Sequence, residues 1–315
     1  MQRPYGATAA QGQAQPQPVG SRLGKPGTPR TDIQILVVAA ALLVPWFVFT
    51  LDAALVSFSM HYRHAGLCWF VVELAACLVA VSGVMAFLAV RARRAGDAAR
   101  DPTWYVLISA SLAFAWMAGL ALGMVNYSKH MQRVYDVTSL EMYSNVDPAR
   151  TSGSQVLDAG SAVFARGSRL DAARSYGFHA EGETYCVAPI VSGNEALVTY
   201  DFWAVGTDCC EASETGPGFT CGSASSPAAR GGVRVMDEGA TRFYRLAVDQ
   251  AELASGIRAD HPVFFHWVED PIAEVNQRQD SGLRLFLLGS LTHFAFQFFL
   301  VALVVIRASA RNMGK

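Results

Sequence analysis

Tyr185–Gly222 reads YCVAPIVSGNEALVTYDFWAVGTDCCEASETGPGFTCG. It holds Cys186, Cys209, Cys210 and Cys221, the four cysteines that lie outside long hydrophobic runs. Thiols oxidise outside the cytosol, and four is an even number, so two disulfides are expected. A bond between the neighbours Cys209 and Cys210 requires a strained ring. Cys186 therefore pairs with Cys209 or Cys210, and Cys221 with the other. A thiolate metal site or a redox pair is the alternative, and an oxidising compartment disfavours both. No metal and no cofactor are assigned.

On either side of this stretch the chain changes character. The 315 residues are 52% hydrophobic and only 16% charged, with a mean hydropathy of +0.24. Ordinary soluble domains carry roughly 25% charge. Four apolar runs stand out, about Ile33–Leu51, Gly66–Val90, Trp104–Asn126 and Leu283–Ile306. A hydrocarbon core about 30 Å thick takes about 20 helical residues, and each run supplies them. Only helices satisfy their own backbone groups in lipid, so the runs are expected to be α-helices in a lipid bilayer. Pro45 is expected to kink the first. Cys68 and Cys77 fall in the second run as packing residues.

Lys and Arg orient the chain. The tail before the first run has Arg3, Arg22, Lys25 and Arg30; the loop after the second has Arg91, Arg93, Arg94 and Arg100; the last residues have Arg307, Arg311 and Lys315. These segments alternate so as to share one side. The positive-inside rule makes that side the cytosol. The division is then a disordered cytosolic tail over 1–31, three spans over 32–126, an extracytosolic domain over 127–282, a fourth span over 283–306 and a cytosolic tail over 307–315. The outer domain has 12 Lys/Arg against 21 Asp/Glu, and the remainder 13 against 5. An acidic outer domain excludes nucleic acid as a partner. The plasma membrane or the secretory pathway is the expected site. A basic, acid-free leader also fits an organelle transit peptide.

Within 127–282, Ser128–Asn145 is expected to prolong the third helix. Ala162–Ala165, Thr184–Val191, Ala196–Val205 and Val233–Met236 read as strands, with a turn at Ser192-Gly193-Asn194-Glu195. Phe243–Ser255 and Asp270–Arg284 read as helices, the latter running into the fourth span. The fold class is thus a four-span helical membrane bundle plus a disulfide-stapled α+β extracytosolic domain with a small antiparallel sheet.

Intramembrane polar residues are the next candidates. Glu73 and His293 lie in the second and fourth runs, which both enter from the outer side, so the two are expected to face each other. They form either a hydrogen bond between helices or part of an ion or proton path. Ser111, Ala115, Gly119 and Gly123 recur every four residues in the third run, a face that lets another helix approach closely, within the chain or between copies as a homo-oligomer. His61 and His64, and His261 and His266, are close pairs without further ligands at metal spacing. Asp201, Asp208, Glu211 and His179 make no catalytic motif, so no catalytic residue is assigned and the chain is read as a non-enzyme. Phe202-Trp203 and Phe264–Trp267 are core or, if exposed, binding anchors.

Four spans, cytosolic ends, a small first outer loop and a large second one with adjacent cysteines resemble the tetraspanin layout. The resemblance covers topology. Tetraspanins carry Cys-Cys-Gly, whereas Glu211 follows Cys209-Cys210 and Gly222 follows Cys221. Their large loop is helical, whereas this one reads as partly strand. The expected function is display of the outer domain to a protein or glycan ligand. The alternative is a transporter or channel component using Glu73 and His293.

Overall fold

The computed structural model describes residues 30–96, 102–193, 196–210, 212–213 and 216–313. The basic tail up to residue 29, Arg100, Asn194 and Glu195 of the expected turn, Glu211 and Lys315 lie outside the described residues.

Four helices are long and apolar enough to cross a membrane. They are α1 (Arg30–Ser57), α3 (Ala65–Arg94), α4 (Thr103–Asn126) and α7 (Pro271–Met313), with a short α2 (Ser59–Arg63) between the first two. α1 runs on through Pro45 and reaches Ser57, six residues past the apolar run. α4 continues through a π-turn (Tyr127–Met131) into α5 (Gln132–Thr138). α7 begins well before Leu283, because Asp270 accepts the N–H groups of Ile272 and Ala273 and Pro271 occupies the first turn. α1 and α4 form the central pair; α3 packs mainly on α4, and α7 on α1.

Ser111, Ala115, Gly119 and Gly123 are all buried. A Cβ on Gly119 would lie 2.8 Å from the Phe49 carbonyl oxygen, and one on Gly123 2.7 Å from the Val56 Cβ. The small-residue face thus makes its close approach within the chain, against α1.

The sheet domain has strands β1 (Glu141–Val146), β2 (Ala159–Phe164), β3 (Ser168–Leu170), β4 (Tyr176–Ala180), β5 (Glu183–Ser192), β6 (Phe202–Thr207), β9 (Gly231–Arg234) and β10 (Val263–Val268). A separate two-stranded ribbon, β7 (Ala212–Ser213) and β8 (Gly216–Pro217), lies between β6 and β9 in the chain. The order of the large sheet is β1-β2-β9-β10-β6-β5, with β3 and β4 sharing the far edge of β5. The expected β5–β6 pairing is present and antiparallel. The expected all-antiparallel character is not: β1 with β2 and β6 with β10 are parallel. Parallel neighbours come from crossovers of distant strands, which a local hydrophobic pattern does not encode. The domain is α+β, and the helical large loop of the tetraspanin resemblance is absent from its described residues.

Alternation along the strands makes two cores. Phe164, Cys186, Ala188, Ile190, Phe202, Phe265 and Trp267 fill one face. Tyr185, Val187, Trp203, Val205 and Phe264 fill the other, under α6 (Glu238–Ser255). α6 presents Tyr244, Ala247, Val248 and Ala251 to the sheet, a spacing that follows its 3.6-residue turn. Asp237 caps its start and Gly256, at φ 64°, its end. Phe202, Trp203, Phe264, Phe265 and Trp267 are therefore core.

Candidate functional site

The cysteines bond as Cys186–Cys210 and Cys209–Cys221. Cys186 on β5 sits in register between Gly177 on β4 and Gly206 on β6. A Cβ on Gly177 would lie 2.8 Å from the Cys210 Sγ, and one on Gly206 2.7 Å from the Cys209 Sγ. Two glycines thus open a notch in the sheet face that both disulfides fill. The sulfurs of Cys186, Cys209 and Cys221 lie within 4.8 Å of one another, but paired they offer a cation no thiolate.

Loop carboxylates are engaged structurally. Asp201 is buried; its Oδ2 accepts the Gly153 N–H (2.8 Å) and the Ser152 hydroxyl, and its Oδ1 accepts the N–H groups of Asp260 and His261. Asp208 accepts the Thr184 N–H, and His179 contacts the Thr184 hydroxyl. Asp201 and Asp208 are thus committed to backbone groups, and Glu211, the remaining carboxylate of the set, lies outside the described residues. His61 bonds the Val56 carbonyl and stacks on Tyr127 at 4.3 Å.

A pocket of about 440 Å³ lies where the sheet meets the helices. α5 contributes Arg133 and Asp136, α7 Glu274 and Arg278, β10 His266, and the start of α6 Asp237 and Glu238. Arg278 pairs with Glu274 at 3.0 Å, and Asp237 is committed to capping α6. Among the described residues Arg133 has no ion-pair partner. The His266 side chain stays open to the pocket while protein surrounds it. Burial, with Arg278 and Arg133 nearby, holds its imidazole below the usual histidine range. In the sequence His266 stands out as half of a histidine pair and within Phe264–Trp267, and Arg133 and Arg278 belong to no motif. Their convergence depends on β10 running beside β9 and on α5 and α7 crossing the same face.

Elsewhere on the domain, Val198 is 94% exposed and Leu253 87% exposed. The segments that carry them are joined by the Tyr200 N–H donating to the Arg258 carbonyl at 2.7 Å.

The bundle interior holds its own polar groups. His293 is buried and stacks on Phe49 at 4.2 Å, with Phe114 at 6.1 Å. Gln297 donates to the Ala41 carbonyl. Neither ring nitrogen of His293 and neither oxygen of the fully buried Asp52 has a hydrogen-bond partner among the described residues. Glu73 is exposed on α3, and α3 and α7 flank the α1–α4 pair from different sides. The expected facing of Glu73 and His293 is therefore not found. The buried carboxylate is Asp52, which the apolar run ending at Leu51 left just outside.

Comparison with known protein families, with curated proteins and with solved structures finds no match.

Proposed function

We propose that the chain is a multi-pass integral membrane protein that presents its disulfide-bonded domain on the non-cytosolic side, with both ends cytosolic, to bind a protein or glycan partner. The apolar helices support insertion, and the disulfides support an oxidising side. The observation that carries the binding role is the pair of almost fully exposed apolar side chains, Val198 and Leu253, on adjoining segments. Water penalises each, and a partner's surface removes that penalty. Such side chains favour a protein over a glycan.

A photo-crosslinker placed at residue 253 in intact cells tests this. One discrete adduct, lost in Val198→Asp with the disulfides intact, supports the reading. Adducts that are absent, or indifferent to that substitution, contradict it.

A second reading is transport through the bundle, favoured by the unpaired polar atoms of Asp52 and His293. Flux lost in Asp52→Asn and His293→Ala supports it; unaltered flux removes it.

A further inference from the structure

The junction pocket stands directly on the outer rim of the bundle. Asn126 donates to the Gly282 carbonyl at 3.0 Å, which fixes where α4 and α7 leave their apolar stretches. Ser128 and Gln132, both lining the pocket, follow Asn126 by about 3 and 9 Å of helix rise. Arg278 precedes Gly282 by about 6 Å. The polar layer of a bilayer adds roughly 5–7 Å on each side of the hydrocarbon. Arg278 therefore lies at headgroup depth, and Arg133, about 10 Å of helix rise beyond Asn126, stands a few ångströms outside it.

Aromatic residues mark the same level. Tyr62 stacks on Tyr135 at 5.4 Å, and Trp69 meets His61 edge-on at 5.8 Å beside Tyr127. Tyr and Trp collect at the membrane–water interface.

The lining has both signs of charge. Among the described residues Arg133 has no ion-pair partner and Arg278 keeps donors beyond its bond to Glu274, whereas the His266 ring bonds the Val205 backbone. Asp136 and Glu238 form no ion pair among the described residues, whereas Glu274 and Asp237 are occupied. A purely anionic ligand would meet the two free carboxylates. A ligand with a phosphate and a primary ammonium satisfies both sets. A trimethylated ammonium has no N–H for the carboxylates to accept.

We propose that this pocket binds a phosphoethanolamine-type group, with Arg133 and Arg278 around the phosphate and Asp136 and Glu238 around the ammonium. The source is a phospholipid headgroup or a soluble phosphoester of the same chemistry. The lipid source rests on the membrane reading above.

The full chain in detergent, probed by native mass spectrometry, tests it. Phosphatidylethanolamine, phosphatidylglycerol and glycerophosphoethanolamine are the probes. Phosphatidylethanolamine is expected to be retained over phosphatidylglycerol, with about a tenfold loss in Arg133→Ala, the size of one charge-assisted hydrogen bond. Asp136→Asn with Glu238→Gln is expected to abolish the preference. Displacement by glycerophosphoethanolamine identifies a soluble ligand; resistance to it identifies the lipid. Arg133 is exposed and has no ion-pair partner among the described residues, so its removal leaves the fold intact, which an unchanged melting temperature verifies. Equal retention of both lipids, or indifference to Arg133→Ala, overturns the proposal. Failure to enter nanodiscs at all overturns the membrane reading itself.

Discussion

Replacing Gly177 with alanine tests whether the notch exists to seat the disulfides. The new methyl would stand 2.8 Å from the Cys210 Sγ and 3.2 Å from the Thr184 Cγ2. Comfortable contacts of this kind lie at about 3.5–4 Å, so one neighbour must move by several tenths of an ångström or more. The sulfur is tethered to Cys186 in the next strand and cannot swing aside. Overpacking of this sort costs about 1–3 kcal/mol. The alanine regains about 0.5–1 kcal/mol of backbone entropy, which leaves a net loss of roughly 1–2 kcal/mol. Removing the bridge by Cys186→Ala with Cys210→Ala opens a loop of 24 residues and costs about 3.5 kcal/mol by chain entropy. In that background the clash is gone, and Gly177→Ala becomes neutral or slightly stabilising. The two changes are thus coupled by about 1–3 kcal/mol. Urea unfolding of the full chain in detergent, followed by fluorescence of the buried Trp203 and Trp267, measures all four corners of this cycle. Equal effects of Gly177→Ala with and without the bridge would refute the argument.

Asp201→Ala strands the N–H groups of Gly153, Asp260 and His261, and is expected to destabilise the sheet domain by about 3 kcal/mol or more, with Asp201→Asn milder; urea midpoints measure both. His266 binds its proton less readily in the folded than in the unfolded chain, so the unfolded state takes up more protons as pH falls below about 6.5. Stability is accordingly expected to decline on acidification through that range, more steeply in the native protein than in His266→Gln, as melting temperatures at stepped pH would reveal. Asp52→Asn replaces a buried carboxyl group that has no partner among the described residues and is expected to raise thermal stability, whereas Glu73→Gln, on an exposed face, leaves it unchanged; a larger effect at Glu73 would reverse the placement of the two carboxylates.

The long elements were legible because their signals are local. About twenty apolar residues make a helix of spanning length wherever they occur, and all four emerged. The β5–β6 pairing and α6 followed from local composition, although the strand expected from Ala196 begins only at Phe202 and the helix expected from Phe243 begins at Glu238. The cysteine pairs were narrowed to two patterns but not chosen, since both neighbours, Cys209 and Cys210, follow the end of β6 and only the three-dimensional notch separates them. The parallel pairs were not legible, because β10 meets β6 across more than fifty residues of intervening chain. Asp52 was missed for a related reason: an apolar run ends at its first charge, whereas α1 goes on for another turn and a half under cover of α4. The pocket was invisible because its charges come from four elements and signal nothing in sequence.

The arrangement of the chain about the membrane is the claim on which the rest depends. A membrane-impermeant maleimide applied to intact cells after mild reduction, with epitope tags at both ends, measures it directly. Labelling of Cys186, Cys209, Cys210 and Cys221 from outside, with both tags accessible only after permeabilisation, is the predicted result. Tags exposed on intact cells, with those cysteines protected, would contradict it.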